Sequence, residues 1–104
     1  MTSTLVPMFA ALGDETRWSI LAALGEGDAS ASALSGRLPV SRQAIAKHLA
    51  VLDDAGLVER EPNGREVLFR VVASRMAATA RALEQIGAGW DTRLSGIRSV
   101  AERL

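Results

Sequence analysis

The sequence predicts a mainly α-helical fold carrying one small β-hairpin, an α+β arrangement in the order α-α-α-α-β-β-α. Two observations predict the helices and a third predicts the hairpin. Apolar residues recur at spacings of three and four along most of the chain, which marks helices with one buried stripe. Residues suited to cap a helix (Asp14, Ser30, Ser41 and Ser74) stand at the start of four of those segments. Only between Gly56 and Ser74 does the period shorten to two, around an Asn63-Gly64 pair.

Leu5, Met8, Phe9 and Leu12 form the first stripe, ended by Gly13. A second helix follows at once, with Asp14 as N-cap, Ile20, Leu21 and Leu24 as its apolar face, Trp18 at the border of that face, and Gly25 with Gly27 as its stop. Ser30 caps a short third helix running through Leu34 to Arg37, and Leu38, Pro39 and Val40 then make a tight connection into Ser41. The fourth helix has the fullest end signals. With Ser41 as N-cap, Val40 and Ile45 take the positions of a hydrophobic staple, which fixes the angle at which the chain joins the helix. At its far end Gly56 fits a left-handed position, and Leu57 can fold back on Leu52 as in a Schellman stop. Asp53 and Asp54 oppose the helix dipole there, which points to some other use for them.

Strands are expected over 57–61 and 65–72, with Val58 on one face of the first and Val67, Phe69 and Val71 on one face of the second. Asn63 and Gly64 both tolerate the positive φ of a tight turn, and Pro62 has no N–H to continue a ladder. Ser74 then caps a last helix reaching toward Leu104. Met76, Ala80, Leu83, Gly87, Trp90, Leu94, Ile97, Ala101 and Leu104 follow one another at alternating steps of four and three, a heptad seam. Unbroken, that helix would be roughly 46 Å long. A globular chain of this size has a radius of about 13 Å, so the helix would outreach its own core and call for a partner. A break at Gly87 and Gly89 is the competing geometry.

Composition limits what such a chain can do. A length of 104 residues suits one domain, 1–104, with one core. There is no cysteine, hence neither a disulfide nor a thiolate metal site. The N-terminus lacks a basic leader, and no apolar run approaches the roughly 18 residues of a membrane span. A cytoplasmic protein without membrane partners is expected. Net charge is zero, unlike many nucleic-acid binders, but the middle is uneven. Between Arg37 and Arg81 eight cations face five acids.

The unusual segment is the fourth helix. Opposite Ile45, Leu49 and Leu52 it presents Arg42, Gln43, Ala46, Lys47 and Ala50, a face with no acid over its first turns. Cations and an amide can read base edges, and small residues let the groove wall approach. A helix, a tight turn, a capped helix with such a face, and then a hairpin make the order of a winged helix-turn-helix. Ser41, Arg42, Gln43, Ala46, Lys47 and His48 are the candidate DNA contacts on the helix. Arg65, just after the hairpin turn, is the candidate on the wing, placed for the backbone or the adjacent minor groove.

These residues also carry a family resemblance. LGDETRWSILAAL, then SALSGRLPVSRQAIAKHLAVLDDAGLVERE, then NGREVLFRV resemble the ArsR family of small dimeric bacterial repressors over about residues 5 to 72. The shared motifs are the Asp-x-x-Arg start, the Ser...Lys-His-Leu helix, the Gly-Leu-Val exit and the Gly-Arg wing. The resemblance implies a dimer formed by the first and last helices, 4–12 and 74–104, which leaves operator DNA to relieve repression. Leu5, Met8, Phe9, Leu12, Leu83, Trp90, Leu94 and Ile97 are then the expected interface. Metal-sensing members carry cysteines before the recognition helix, or His and carboxylate ligands on the last helix. SASALSGRL has no such ligand and residues 74 to 104 contain neither His nor Cys, so the chain resembles the branch without an evident metal site. No metal and no cofactor are expected, and an unidentified small-molecule effector is a candidate partner.

Blander readings compete. His48, the only histidine, has no partner for metal binding or catalysis in the sequence. Ser41 is foremost a cap. The acids are scattered without a matched base or nucleophile, so no enzyme is expected. A protein-interaction module on the same fold is the alternative, favoured by the neutral charge and by Asp53, Asp54, Glu59, Glu61 and Glu66 near the proposed DNA face.

Overall fold

The computed structural model describes residues 2–87, with side chains from Val6 onward. Four helices, α1 (Thr2–Leu12), α2 (Glu15–Gly25), α3 (Ala31–Arg37) and α4 (Arg42–Asp54), precede an antiparallel hairpin of β1 (Val58–Asn63) and β2 (Glu66–Val71). A fifth helix, α5, is described over 73–87. The proposed seam beyond Gly87, and the competing break at Gly89, lie outside the described residues. Among the described residues no helix is long and apolar enough to cross a membrane.

Ile20, Leu21 and Leu24 of α2 pack with Met8 and Leu12 of α1, Leu34 of α3, Ile45, Leu49 and Leu52 of α4, and Leu57 and Val58 beyond it. Ile45 and Leu52 are fully buried and Leu49 nearly so. Burying each such side chain stabilises by about 1.5–3 kcal/mol. This anchoring fixes the rotation of α4 about its axis, so its opposite face is held toward solvent. Trp18, expected at the border of the α2 stripe, lies outside the core. It is 56% exposed, because α2 turns Ile20, Leu21, Ala23 and Leu24 inward and leaves position 18 outside that arc.

The caps explain where the helices begin. Asp14, Ser30 and Ser41, each in an extended conformation, accept the N–H three residues on, from Arg17, Ala33 and Ala44 at 3.0, 3.1 and 3.2 Å. At the end of α4, Gly56 adopts φ +80°. The Leu57 N–H donates to Leu52 O and the Gly56 N–H to Asp53 O, both at 2.9 Å, which is the full Schellman pairing.

The hairpin differs from expectation by one position. Asn63 pairs with Glu66, so the two-residue loop is Gly64-Arg65 and not Asn63-Gly64. Gly64 alone carries a positive φ, +64°, as the first loop residue of a II′-like turn does. Arg65 is thereby carried to the tip. Pro62 stays within β1, opposite Val67. The Phe69 N–H and C=O both bond to Ala29, at 2.9 and 3.2 Å, so Arg60 and Phe69 are a non-hydrogen-bonded pair of the hairpin. Antiparallel pairs alternate, hence Pro62–Val67 is one as well, and proline's missing donor costs no ladder bond. The same bridge ties β2 to the loop before α3.

The last helix also starts elsewhere than expected. The Val72 C=O receives the Met76 N–H at 3.0 Å while the Val72 N–H donates to Leu57 O at 2.9 Å. The chain therefore passes from ladder to helix at Val72, and Ser74 is an exposed first-turn residue, not the cap. Buried Thr79, absent from the expected seam, sets its hydroxyl 3.2 Å from the Met8 sulfur and donates to Arg75 O at 2.8 Å.

Candidate nucleic-acid interface

Each residue expected on the outer face of α4 is placed there. Ser41, Arg42, Gln43, Ala46, Lys47 and Ala50 are all exposed. Beside them lies a groove of about 220 Å³ lined by Arg42, by Ser30, Ala31 and Ser32 at the start of α3, and by Arg65, Glu66, Val67 and Phe69 of the hairpin. Arg42 of the helix and Arg65 of the wing thus face one concavity, although 22 intervening residues separate them in sequence. The bridge from Phe69 to Ala29 holds its two walls together.

The charges of this region divide into two sets. Arg37 is 3.0 Å from Glu26, Arg60 is 2.7 Å from Asp53, and Arg70 is surrounded by Asp28, Glu59 and Glu61. Arg75 reaches Gly56 O at 3.5 Å. Arg42, Lys47 and Arg65 form no ion pair or side-chain hydrogen bond with any described residue. Asp53, unfavourable to the α4 dipole, has its use here. It receives both Nε and Nη2 of Arg60, at 3.2 and 2.7 Å, and braces the hairpin against the end of α4. Glu59 and Glu61 are likewise engaged by Arg70 on the opposite face of the hairpin from Arg60. Of the five acids that spoke for a protein-interaction surface, Asp53, Glu59 and Glu61 are engaged by Arg60 and Arg70, while Asp54 and Glu66 form no ion pair with any described residue and Glu66 lines the groove.

His48 is half-buried and turned back toward α2. Its Nδ1 lies 3.3 Å from Nη1 of Arg17 and 3.9 Å from Oδ1 of Asp14. Arg17 also donates from Nε to Ala11 O at 2.5 Å and from Nη2 to Ala10 O at 3.3 Å, supplying partners to carbonyls at the end of α1. The Asp14 carboxyl is held below its ordinary value chiefly by the Arg17 N–H that it caps, with the Arg17 guanidinium adding to this. The sequence offered the Asp-x-x-Arg spacing, but its contact with His48, 31 residues away, is a product of the tertiary fold.

The expected interface residues separate. Met8 is 4% and Leu12 9% exposed, so these two are core residues of the protomer and offer a partner almost no surface. Phe9 is half-buried, and Leu83 is exposed. Leu5, Trp90, Leu94 and Ile97 lie outside the described side chains. Among the described residues no group of three or more His, Cys, Asp or Glu is placed to hold a metal.

Comparison with known proteins agrees with this architecture. A helix-turn-helix domain family matches residues 12–61. The structure of an ArsR-like transcriptional regulator from Rhodococcus sp. RHA1 is 55% identical, covers 96% of this chain and 94% of its own, and superposes with a TM-score of 0.78. The chain belongs to the ArsR family of winged helix-turn-helix transcriptional regulators. The HTH-type transcriptional regulator Rv2034 of Mycobacterium tuberculosis is 35% identical over 86 residues, 83% of this chain and 78% of that protein. A homodimeric winged helix-turn-helix DNA-binding domain from Mycobacterium bovis shares the fold, with a TM-score of 0.71 over 85% of this chain and 81% of its own at 24% identity. As an ArsR-family member the chain is a DNA-binding regulator.

Substitutions of Gly64 and Arg65 in the hairpin turn are expected to act differently. Arg65→Ala is expected to weaken binding to all DNA sequences alike, the mark of a lost backbone contact. Gly64→Val is expected to disturb the hairpin itself, because a β-branched residue is strained at φ +64°. Gel-shift titration on matched and scrambled sites distinguishes these effects, and unchanged affinity in both variants would remove the wing from DNA binding.

Proposed function

We propose that this ArsR-family regulator is a homodimeric repressor of its own gene. In this reading it binds an imperfect palindrome, with residues 41–50 in the major groove and Arg65 on the flanking backbone or minor groove. The observation that carries the reading is the division of charge. Arg42 and Arg65 line one groove, together with Glu66, and Lys47 is exposed on α4 beyond it; none of the three cations has a partner among the described residues, whereas Arg37, Arg60 and Arg70 are engaged by acids. Phosphates would complete what the protein leaves unpaired. Regulation independent of metal belongs to the same reading, with an unidentified small molecule as the effector.

Footprinting on DNA upstream of the chain's own gene tests binding, symmetry and autoregulation together. Two protected half-sites one helical turn apart, about 34 Å, or a multiple of it, are expected. The protection should be unchanged by stoichiometric zinc, cadmium or arsenite. Affinity should fall with rising salt at a log–log slope near 0.9 per phosphate neutralised. An affinity indifferent to salt would favour a protein partner instead.

A further inference from the structure

We propose that Arg17 is a positioning residue for DNA reading, acting through His48 as a proton-sensitive latch between the α1–α2 corner and the recognition helix. The proposal rests on α4 being the DNA-reading helix. The starting point is the set of three contacts made by one guanidinium. Two of its nitrogens hold Ala10 O and Ala11 O at the end of α1, and the third stands 3.3 Å from His48 Nδ1 on α4. One side chain thus touches α1 and α4 while its backbone N–H is fixed by Asp14 at 3.0 Å.

Chemistry sets the direction of the third contact. Arginine can only donate, so Nδ1 of His48 must be the acceptor, and the imidazole is neutral with its proton on Nε2. Protonating Nδ1 removes that acceptor and places two cations 3.3 Å apart. The one nearby counter-charge is Asp14, at 3.9 Å, and its Oδ1 is already engaged by the Arg17 N–H. Among the described residues no other ion-pair partner reaches His48: α1 carries no charged residue, Asp14 and Arg17 are the charged groups of the α1–α2 corner in contact with it, and Asp54 of α4 lines a pocket with Arg17 without pairing with it. Proton uptake therefore breaks the contact with Arg17.

The position of His48 gives the break a consequence. It follows Lys47 of the exposed face and precedes Leu49 of the core, so its ring leaves α4 between the surface offered to DNA and the stripe that anchors the helix. Shifting the ring from Arg17 toward Asp14 changes how α4 is held against the α1–α2 corner. Specific affinity should then be lower at pH 5.5 than at pH 7.5.

A chain with one histidine makes the test direct. Long-range ¹H–¹⁵N NMR of the free protein reports the His48 tautomer without DNA. The Nε2–H form is expected in the parent and a mixture in Arg17→Gln; a parent imidazole protonated on Nδ1 near pH 7.5 overturns the latch whether or not DNA binds. Operator affinity is then measured at pH 7.5 and 5.5. The parent is expected to lose about fivefold or more in the ratio of specific to non-specific binding. His48→Asn keeps an acceptor near the Nδ1 position but does not titrate, so whatever affinity it has at pH 7.5 it should hold at pH 5.5. Equal pH slopes in the parent and His48→Asn would refute the proposal. Absence of operator binding by the parent at pH 7.5 would instead count against the operator reading, leaving the NMR result to decide the latch.

Discussion

Replacing Arg42, Gln43 and Lys47 together by alanine is expected to leave the protein folded and to remove its preference for an operator. The three side chains are exposed and form no hydrogen bond or ion pair with other described residues, and the Ser41 cap and the buried stripe of Ile45, Leu49 and Leu52 are untouched. Alanine also has the highest helix propensity, so α4 should be no weaker. On DNA the loss is large. A base contact is worth about 1–3 kcal/mol, and each 1.4 kcal/mol is tenfold, so losing two of them lowers specific affinity by about a hundredfold. Single variants separate the roles. One that relaxes preference at a single base pair reads a base, and one that weakens every sequence alike binds phosphate. Gel shifts with specific and scrambled duplexes, checked by circular dichroism, measure this; normal operator binding by a folded triple variant would take α4 out of the groove.

Much of this site was legible in the sequence because its elements are set by local chemistry. Ser41, Val40 with Ile45, and Gly56 with Leu57 act within a few residues of one another, so the ends of α4 follow from neighbours alone. The exposed face of α4 follows from the burial of Ile45, Leu49 and Leu52, which helical spacing displays. What the sequence could not show is which charges meet. Asp53 with Arg60, Arg70 with Asp28, Glu59 and Glu61, and Arg17 with His48 depend on tertiary placement, and they turn an apparent mixture of charges into a paired set and a free set. The hairpin was displaced by one residue because Asn63 can serve a tight turn at either of two positions. The bridge between Ala29 and Phe69, fixed from outside the hairpin, is consistent with only one alternation. Met8 and Leu12 were assigned to a partner because a helical stripe shows that a face is buried without showing against what.

Charging the exposed stripe of α5 is expected to have the other large effect, through assembly. Thr79, Leu83 and Ile86 are spaced by four and three and so share one face of α5. That face begins on the protomer's own core, where Thr79 is buried against Met8, and continues into solvent with Leu83 48% and Ile86 53% exposed. The seam expected from the sequence ran through Ala80, but it is Thr79 that is buried, and Ile86 joins Leu83 on the open part. Val6 of α1 is 62% exposed as well, so both helices of the proposed interface carry large apolar side chains that the other described residues do not cover. Leu83→Arg with Ile86→Arg places two charges there and leaves the core residues alone. A monomer in sedimentation is expected, with thermal stability lowered by no more than the loss of the interface itself. A monomer engages one half-site. With each base pair discriminating by about 1–3 kcal/mol against millions of competing genomic sites, one half-site gives too little specificity. The variant should therefore lose the footprint at physiological salt while keeping weak, salt-sensitive binding to any DNA. If the doubly charged protein stays dimeric and protects the same palindrome, the two-fold axis does not pass along α5 at Leu83 and Ile86, and the pairing of the two recognition helices must be set by another face.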